Sequence, residues 1–243
     1  MASPSTQLEL ENVPSAQVPS VSNAHRWVDL SLILAVVFAG SILASIYLAF
    51  HPTPPRYSNM RLLTGISQEI TGVLLFLVLF KRQGRRLQDI GFSFRWTDLP
   101  KAVGLAVTAL AVMWFVTLMV NYVWFFFTFH VPQSPDTRGM FSATSIWLCL
   151  PFLLVNPFFE ETLVRGYLMT EMIELRKSVL FATVVSLAVQ TSYHLYYGAL
   201  GAMIVGSGLA IFAIYFAKSR RLMPVILAHL LWDSTALLGF LHR

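Results

Sequence analysis

Residues 145–172 read SIWLCLPFLLVNPFFEETLVRGYLMTEM. A helix that crosses a bilayer needs about 20 mostly apolar residues, and this run supplies them. No charge appears before Glu160; then Glu160, Glu161 and Arg165 follow within the same run. Charged groups at membrane depth are costly, and they stand as functional candidates for that reason.

Working outward, six further apolar runs flank this one: Val28–Phe50, Leu62–Phe80, Ala102–Phe129, Val179–Tyr197, Ala199–Ala217 and Leu222–Leu241. Across the 243 residues 56% are hydrophobic and 12% charged, against about a quarter charged in soluble domains. The expected fold is an all-α polytopic membrane bundle, with seven transmembrane helices by these runs. Very short links make the last three runs antiparallel neighbours, and no internal repeat is visible. Residues 1–24, rich in Ser and Pro and lacking the basic and apolar regions of a signal peptide, read as a disordered N-terminal tail. Residues 25–243 read as one membrane-embedded domain. Leu87–Pro100 reads as an interfacial segment anchored by Phe92, Phe94 and Trp96. The lone Cys149 lacks disulfide and metal partners and reads as a small core residue. Gly201, Gly206 and Gly208 read as close-packing positions.

The net charge is +5, and the basic residues flank the apolar runs. They fit the positive-inside rule and not nucleic-acid binding. With the N-terminus in the cytoplasm, Arg26, Lys81, Arg82, Arg85, Arg86, Arg95, Lys101, Arg165, Arg176, Lys177, Lys218, Arg220 and Arg221 fall on the cytoplasmic half, against Arg56, Arg61, Arg138 and Arg243 outside. This orientation, in a bacterial inner membrane, is the expected one. It puts the Pro132–Arg138 loop outside.

Glu161 and Arg165, four apart, share a helix face and can pair. Glu160 points about 100° away, which leaves it the freer carboxylate and a candidate general base. Pro157 removes a helical hydrogen bond and disfavours the α conformation at Asn156. The helix is therefore expected to restart there, with Asn156 as its cap. Irregular backbone at depth requires protein or a water-filled cavity around it, and hydrolysis uses water. His194, His229 and Asp233 are polar at comparable depth, with Asp233 four residues after His229 on its face. At 1.5 Å per residue, Glu161 and Asp233 lie roughly 16 Å in, His229 roughly 10 Å and His194 roughly 22 Å, which makes His194 the outlier. Gln68 and Glu69 are also polar at depth, with no visible partner, and are expected to line the cavity or pair across helices.

The signatures of zinc and presenilin-like intramembrane proteases, His-Glu-x-x-His and Gly-x-Gly-Asp, are absent from the sequence. The set Glu160-Glu161-x-x-x-Arg165, His194 and His229-x-x-x-Asp233 instead resembles the CPBP family, the type II CAAX prenyl endopeptidases with the bacteriocin-processing and immunity proteins. The resemblance covers residues 145–240. It implies an eight-helix-like α bundle, which makes the expectation about seven to eight transmembrane helices, and an intramembrane endopeptidase in which Glu160 and His194 activate water, Glu161 pairs with Arg165, and His229 with residue 233 forms the oxyanion site. Two departures stand out: Gln190 where Phe is common, and Asp233 where Asn is common. An ionised Asp cannot donate a hydrogen bond, so Asp233 is expected to orient and charge His229 instead. The implied partners are the lipid bilayer and a membrane-associated peptide or protein, lipidated or not. No cofactor is expected. Two His and a carboxylate can form a zinc site, so zinc is the alternative, but Arg165 competes for Glu161 and the spacing matches no compact metal motif. The rival functions are a non-catalytic scaffold or immunity protein keeping the fold, and a transporter with a proton relay. No repeated half or second broken helix supports the transporter.

Overall fold

The computed structural model describes residues 21–51, 56–132 and 141–241. Its helices are α1 (Asn23–Phe50), α2 (Asn59–Arg82), α3 (Asp98–Thr128) and α4 (Ile146–Glu174), then α5 (Val179–Ser192), α6 (Gly198–Ser219) and α7 (Met223–Leu241). The all-α membrane bundle read from the apolar runs is the fold observed. Helices α1 to α4, and α6 with the turn before it, are each long and apolar enough to cross a membrane. Their outward faces stay apolar, as at Leu43, Leu74, Val78, Trp114 and Phe126, because the solvent there is lipid. Of the tail expected over residues 1–24, residues 1–20 lie outside the described residues, and α1 already begins at Asn23.

Serine caps fix several starts. The Oγ atoms of Ser22, Ser58 and Ser178 accept from the backbone N–H of His25, Arg61 and Phe181 at 3.4, 3.2 and 3.0 Å, which satisfies donors that a helix start leaves orphaned. Helix α3 packs on α6 and α7, α2 on α4, and α5 on α6. Phe76, Phe80, Tyr167, Phe212 and Phe216 fill the centre. Gly206 and Gly208 do let helices approach: an added Cβ would stand 2.9 Å from Thr191 and 2.7 Å from Trp232. Cys149 is buried beside Thr144.

Two local expectations fail. Helix α4 does not restart at Asn156. It runs through both Pro151 and Pro157 and is disturbed later, in a π-helical stretch at Thr162–Met169. Asn156 spends its side chain on carboxylates, not on a cap. Helix α5 stops at Ser192, short of Tyr197. Its 14 residues span only about 21 Å at 1.5 Å each, less than the ~30 Å hydrocarbon core.

The end of the bundle that carries most basic residues is closed. Arg26 bonds Glu171 and Glu174 at 2.8 and 2.6 Å, and Arg85 pairs with the same two carboxylates. Burial lowers the affinity of the Arg85 guanidinium for its proton, and Glu174 opposes that shift. The 87–97 segment docks onto the α6–α7 turn. Gly91 has φ +78, and a Cβ there would sit 2.1 Å from the Arg220 carbonyl oxygen, so only glycine fits. Arg221 clasps Asp98 at 2.7 Å. Phe94 and Trp96 are exposed as anchors should be, but Phe92 is half-buried and packs against the core.

Candidate active site

The six residues singled out in the sequence come together, in two layers. Glu160, His194 and Asp233 line a cavity of about 510 Å³. Behind its wall lie Glu161 and Arg165, both fully buried, and His229, 5% exposed.

Three elements build the back layer: the π-helical stretch of α4, the last turns of α5, and the start of α7. Arg165 lies inside the π-helical stretch, and π-bulges often sit at functional sites. Its Nε stands 3.6 Å from Glu161 Oε2, so the expected pair exists as a charge contact without a hydrogen bond. The guanidinium donates instead to Ser186 Oγ at 2.8 Å, to the Leu209 carbonyl at 3.2 Å and to Gln190 Oε1. Glu161 Oε1 accepts from His229 Nδ1 at 2.9 Å. His229 Nε2 lies 3.6 Å from Asp233 Oδ1. The imidazole thus sits between two carboxylates, and Asp233 is the end of that line facing the cavity.

In the front layer, Glu160 lacks a cationic partner, as its spacing implied, but it is not free. It accepts from Asn156 Nδ2 at 3.2 Å, Gln190 Nε2 at 3.0 Å and Tyr193 OH at 2.8 Å. Because α5 ends at Ser192, Tyr193 and His194 turn in toward Glu160, and a 3-10 turn at Leu195–Tyr197 carries the chain away. That break removes the depth mismatch expected for His194. A carbonyl only accepts, so His194 Nδ1 donates to the Gln190 carbonyl at 2.8 Å, leaving Nε2 as the acceptor.

Three participants were missed by motif reading. Gln190, fully buried, joins the layers: its amide donates to Glu160 and to Glu161 (3.1 Å) while its oxygen receives Arg165. The sequence showed it only as a departure from a pattern. Glu69 on α2, 8% exposed, lines the same cavity and shares Asn156 Nδ2 with Glu160, at 3.0 Å. Its Oε2 has no hydrogen-bond partner among the described residues. The only signal for Glu69 was a carboxylate at membrane depth, and for Asn156 a polar residue before Pro157. Among the described residues, no three His, Cys, Asp or Glu side chains converge as a metal would need.

Fold and site together define a membrane-embedded helix bundle with a carboxylate–histidine centre beside a cavity. Residues 142–235 match the family model described as Rce1-like, type II CAAX prenyl endopeptidase Rce1-like. All six candidate residues lie inside the match, and the C-terminal part of the chain is therefore similar to the CPBP peptidases. No curated protein and no solved structure matches the chain.

Proposed function

We propose that the protein is an intramembrane endopeptidase of the CAAX-protease type that hydrolyses peptide bonds with water activated by Glu160 and His194. The observation that carries this reading is the pair itself. Both line one cavity; Glu160 is oriented by three neutral donors and opposed by no cation, and His194 keeps an acceptor nitrogen. Water held between them gives a proton to Glu160 while its oxygen attacks the scissile carbonyl. Asp233, at the cavity wall, orients and charges His229, and the His229 imidazole is the hydrogen-bond donor that stabilises the developing oxyanion. Glu160 then passes its proton to the departing amine. Glu161 and Arg165 hold the layer behind. No step needs a metal. The charge distribution supports placing the N-terminus in the cytoplasm, and the proposed setting is a bacterial inner membrane.

The position of His229 behind the wall favours one rival, a scaffold or immunity protein that keeps the fold without the chemistry. Comparative proteomics of membranes holding wild type or Glu160→Ala separates the two. Intact precursors accumulating only in the variant support proteolysis; identical membrane proteomes refute it. Activity is expected to survive exhaustive dialysis against a strong chelator. Loss restored by added zinc would overturn the metal-free mechanism.

A further inference from the structure

The cavity holding Glu160 and His194 takes its walls from the same half of every helix that contributes. The second half of α1, the first half of α2, the first half of α4 down to Glu160, Tyr193, His194, Tyr196 and Tyr197 just after α5, and Asp233 of α7 all line it. These are the halves remote from the end closed by Arg26, Arg85, Glu171 and Glu174. Tyr57 and Arg61 stand at its outer rim, and Arg61 makes no ion pair among the described residues.

The cavity also opens sideways. Where it borders α1 and α2, the lining is small or polar: Gly40, Ser41 and Ala44 on one helix, Thr64, Gly65 and Gln68 on the other. Gly40, Ser41, Ala44, Thr64 and Gln68 are all exposed, whereas the neighbouring outward positions of the same helices carry Leu43, Tyr47, Leu74 and Val78. A Cβ on Gly40 would meet nothing within 4 Å. The cleft ends at the π-helical turn Leu34–Phe38 of α1, where Phe38 stacks on Tyr193 at 5.5 Å and leans on Phe159 at 5.7 Å. Beyond that turn α1 leaves α2 and packs on Leu195–Tyr197. Polar surface inside a bilayer has to meet water or a peptide backbone. Deep in the cleft, the unpartnered Oε2 of the buried Glu69 supplies a further polar atom without a protein partner.

We propose that the substrate is a polypeptide segment anchored at the leaflet opposite the basic loops, and that it enters sideways between α1 and α2 to reach Glu160. The proposal rests on the endopeptidase reading and on the positive-inside orientation, which makes that leaflet the non-cytoplasmic one. An extended segment carries a row of N–H groups that the hydroxyl oxygens and the Gln68 amide oxygen of the cleft can accept from, while Thr64 and Gln68 already donate to the Met60, Arg61 and Val37 carbonyls. A wholly cytoplasmic substrate would face the closed end.

Thr64→Cys, at the cavity mouth and outside the proposed catalytic set, tests the side of opening. The wild-type chain, whose single Cys149 is buried, provides the background. A membrane-impermeant maleimide should label Thr64→Cys in intact cells. Labelling only after permeabilisation overturns the proposal. New protein termini that depend on Glu160, found by comparing wild type with Glu160→Gln, should map to non-cytoplasmic segments. They should be lost in Gly40→Trp, whose side chain enters open space and should leave the Tm unchanged. Termini in cytoplasmic segments overturn the sidedness, and cleavage persisting in Gly40→Trp overturns lateral entry. If the wild type produces no such termini, the endopeptidase reading fails, and the Thr64→Cys labelling still decides which way the cavity opens.

Discussion

At the end of the bundle that carries the basic loops, Arg26 and Arg85 converge on Glu171 and Glu174, and Gly91 lies directly under the Arg220 carbonyl. At the other end, Glu160, Glu69 and His194 face about 510 Å³ of open space. Both ends bury carboxylates in a lipid-embedded protein, but they satisfy them differently. At the closed end each carboxylate meets arginine, which neutralises it and ties α1 and the 83–97 connection to α4. At the open end Glu160 and Glu69 meet only neutral donors, Asn156, Gln190 and Tyr193. A neutral donor positions a carboxylate and leaves its charge available for chemistry. Burial is therefore spent on stability at one end and on reactivity at the other.

If that contrast is right, substitutions in the buried back layer should unfold the protein, and substitutions at the front should only silence it. Arg165→Ala leaves Glu161 buried without its cation and Ser186 and Gln190 without their donor. Removing one partner of a buried ion pair typically costs about 3–5 kcal/mol. The Tm in detergent should fall sharply, and a normal Tm would show that the back layer is not held by this arginine. Glu160→Gln should keep its Tm while proteolysis falls by about 10²–10⁴-fold, the usual contribution of a positioned acid–base group. Unfolding of that variant would merge the two layers into one structural unit. Gln190→Leu keeps the bulk but removes the amide that both glutamates use. Leaving buried polar groups unmatched costs about 1–3 kcal/mol, so a moderate Tm loss accompanied by reduced turnover is expected. Turnover unchanged at lowered Tm would confine Gln190 to stability. Glu174→Ala, at the closed end, should have the smallest effect. Its side chain is 39% exposed, exposed pairs are worth about 0–1 kcal/mol, and Glu171 still holds both arginines. A large loss there would mean that the closed end depends on the rim and not on its buried member.

Much of this was legible in the chain. The apolar runs fix an all-helical membrane bundle, because in lipid a backbone must satisfy its own hydrogen bonds within each segment. Charge at depth marked Glu160, Glu161, Arg165, His194, His229 and Asp233, because such residues are too costly to keep without partners. Helical spacing placed Arg165 beside Glu161 and His229 beside Asp233, since pairs four apart share a face. What spacing could not decide was anything between helices. That Gln190 joins the two glutamates depends on how α5 meets α4. That Glu69 shares Asn156 with Glu160 depends on α2 meeting α4. That His194 reaches the cavity depends on α5 ending at Ser192, where an apolar sequence gave no stop. The sorting of six polar residues into a cavity wall and a buried backing is likewise tertiary. A residue's depth follows from its place along one helix, but its access to water is set by the gaps that other helices leave.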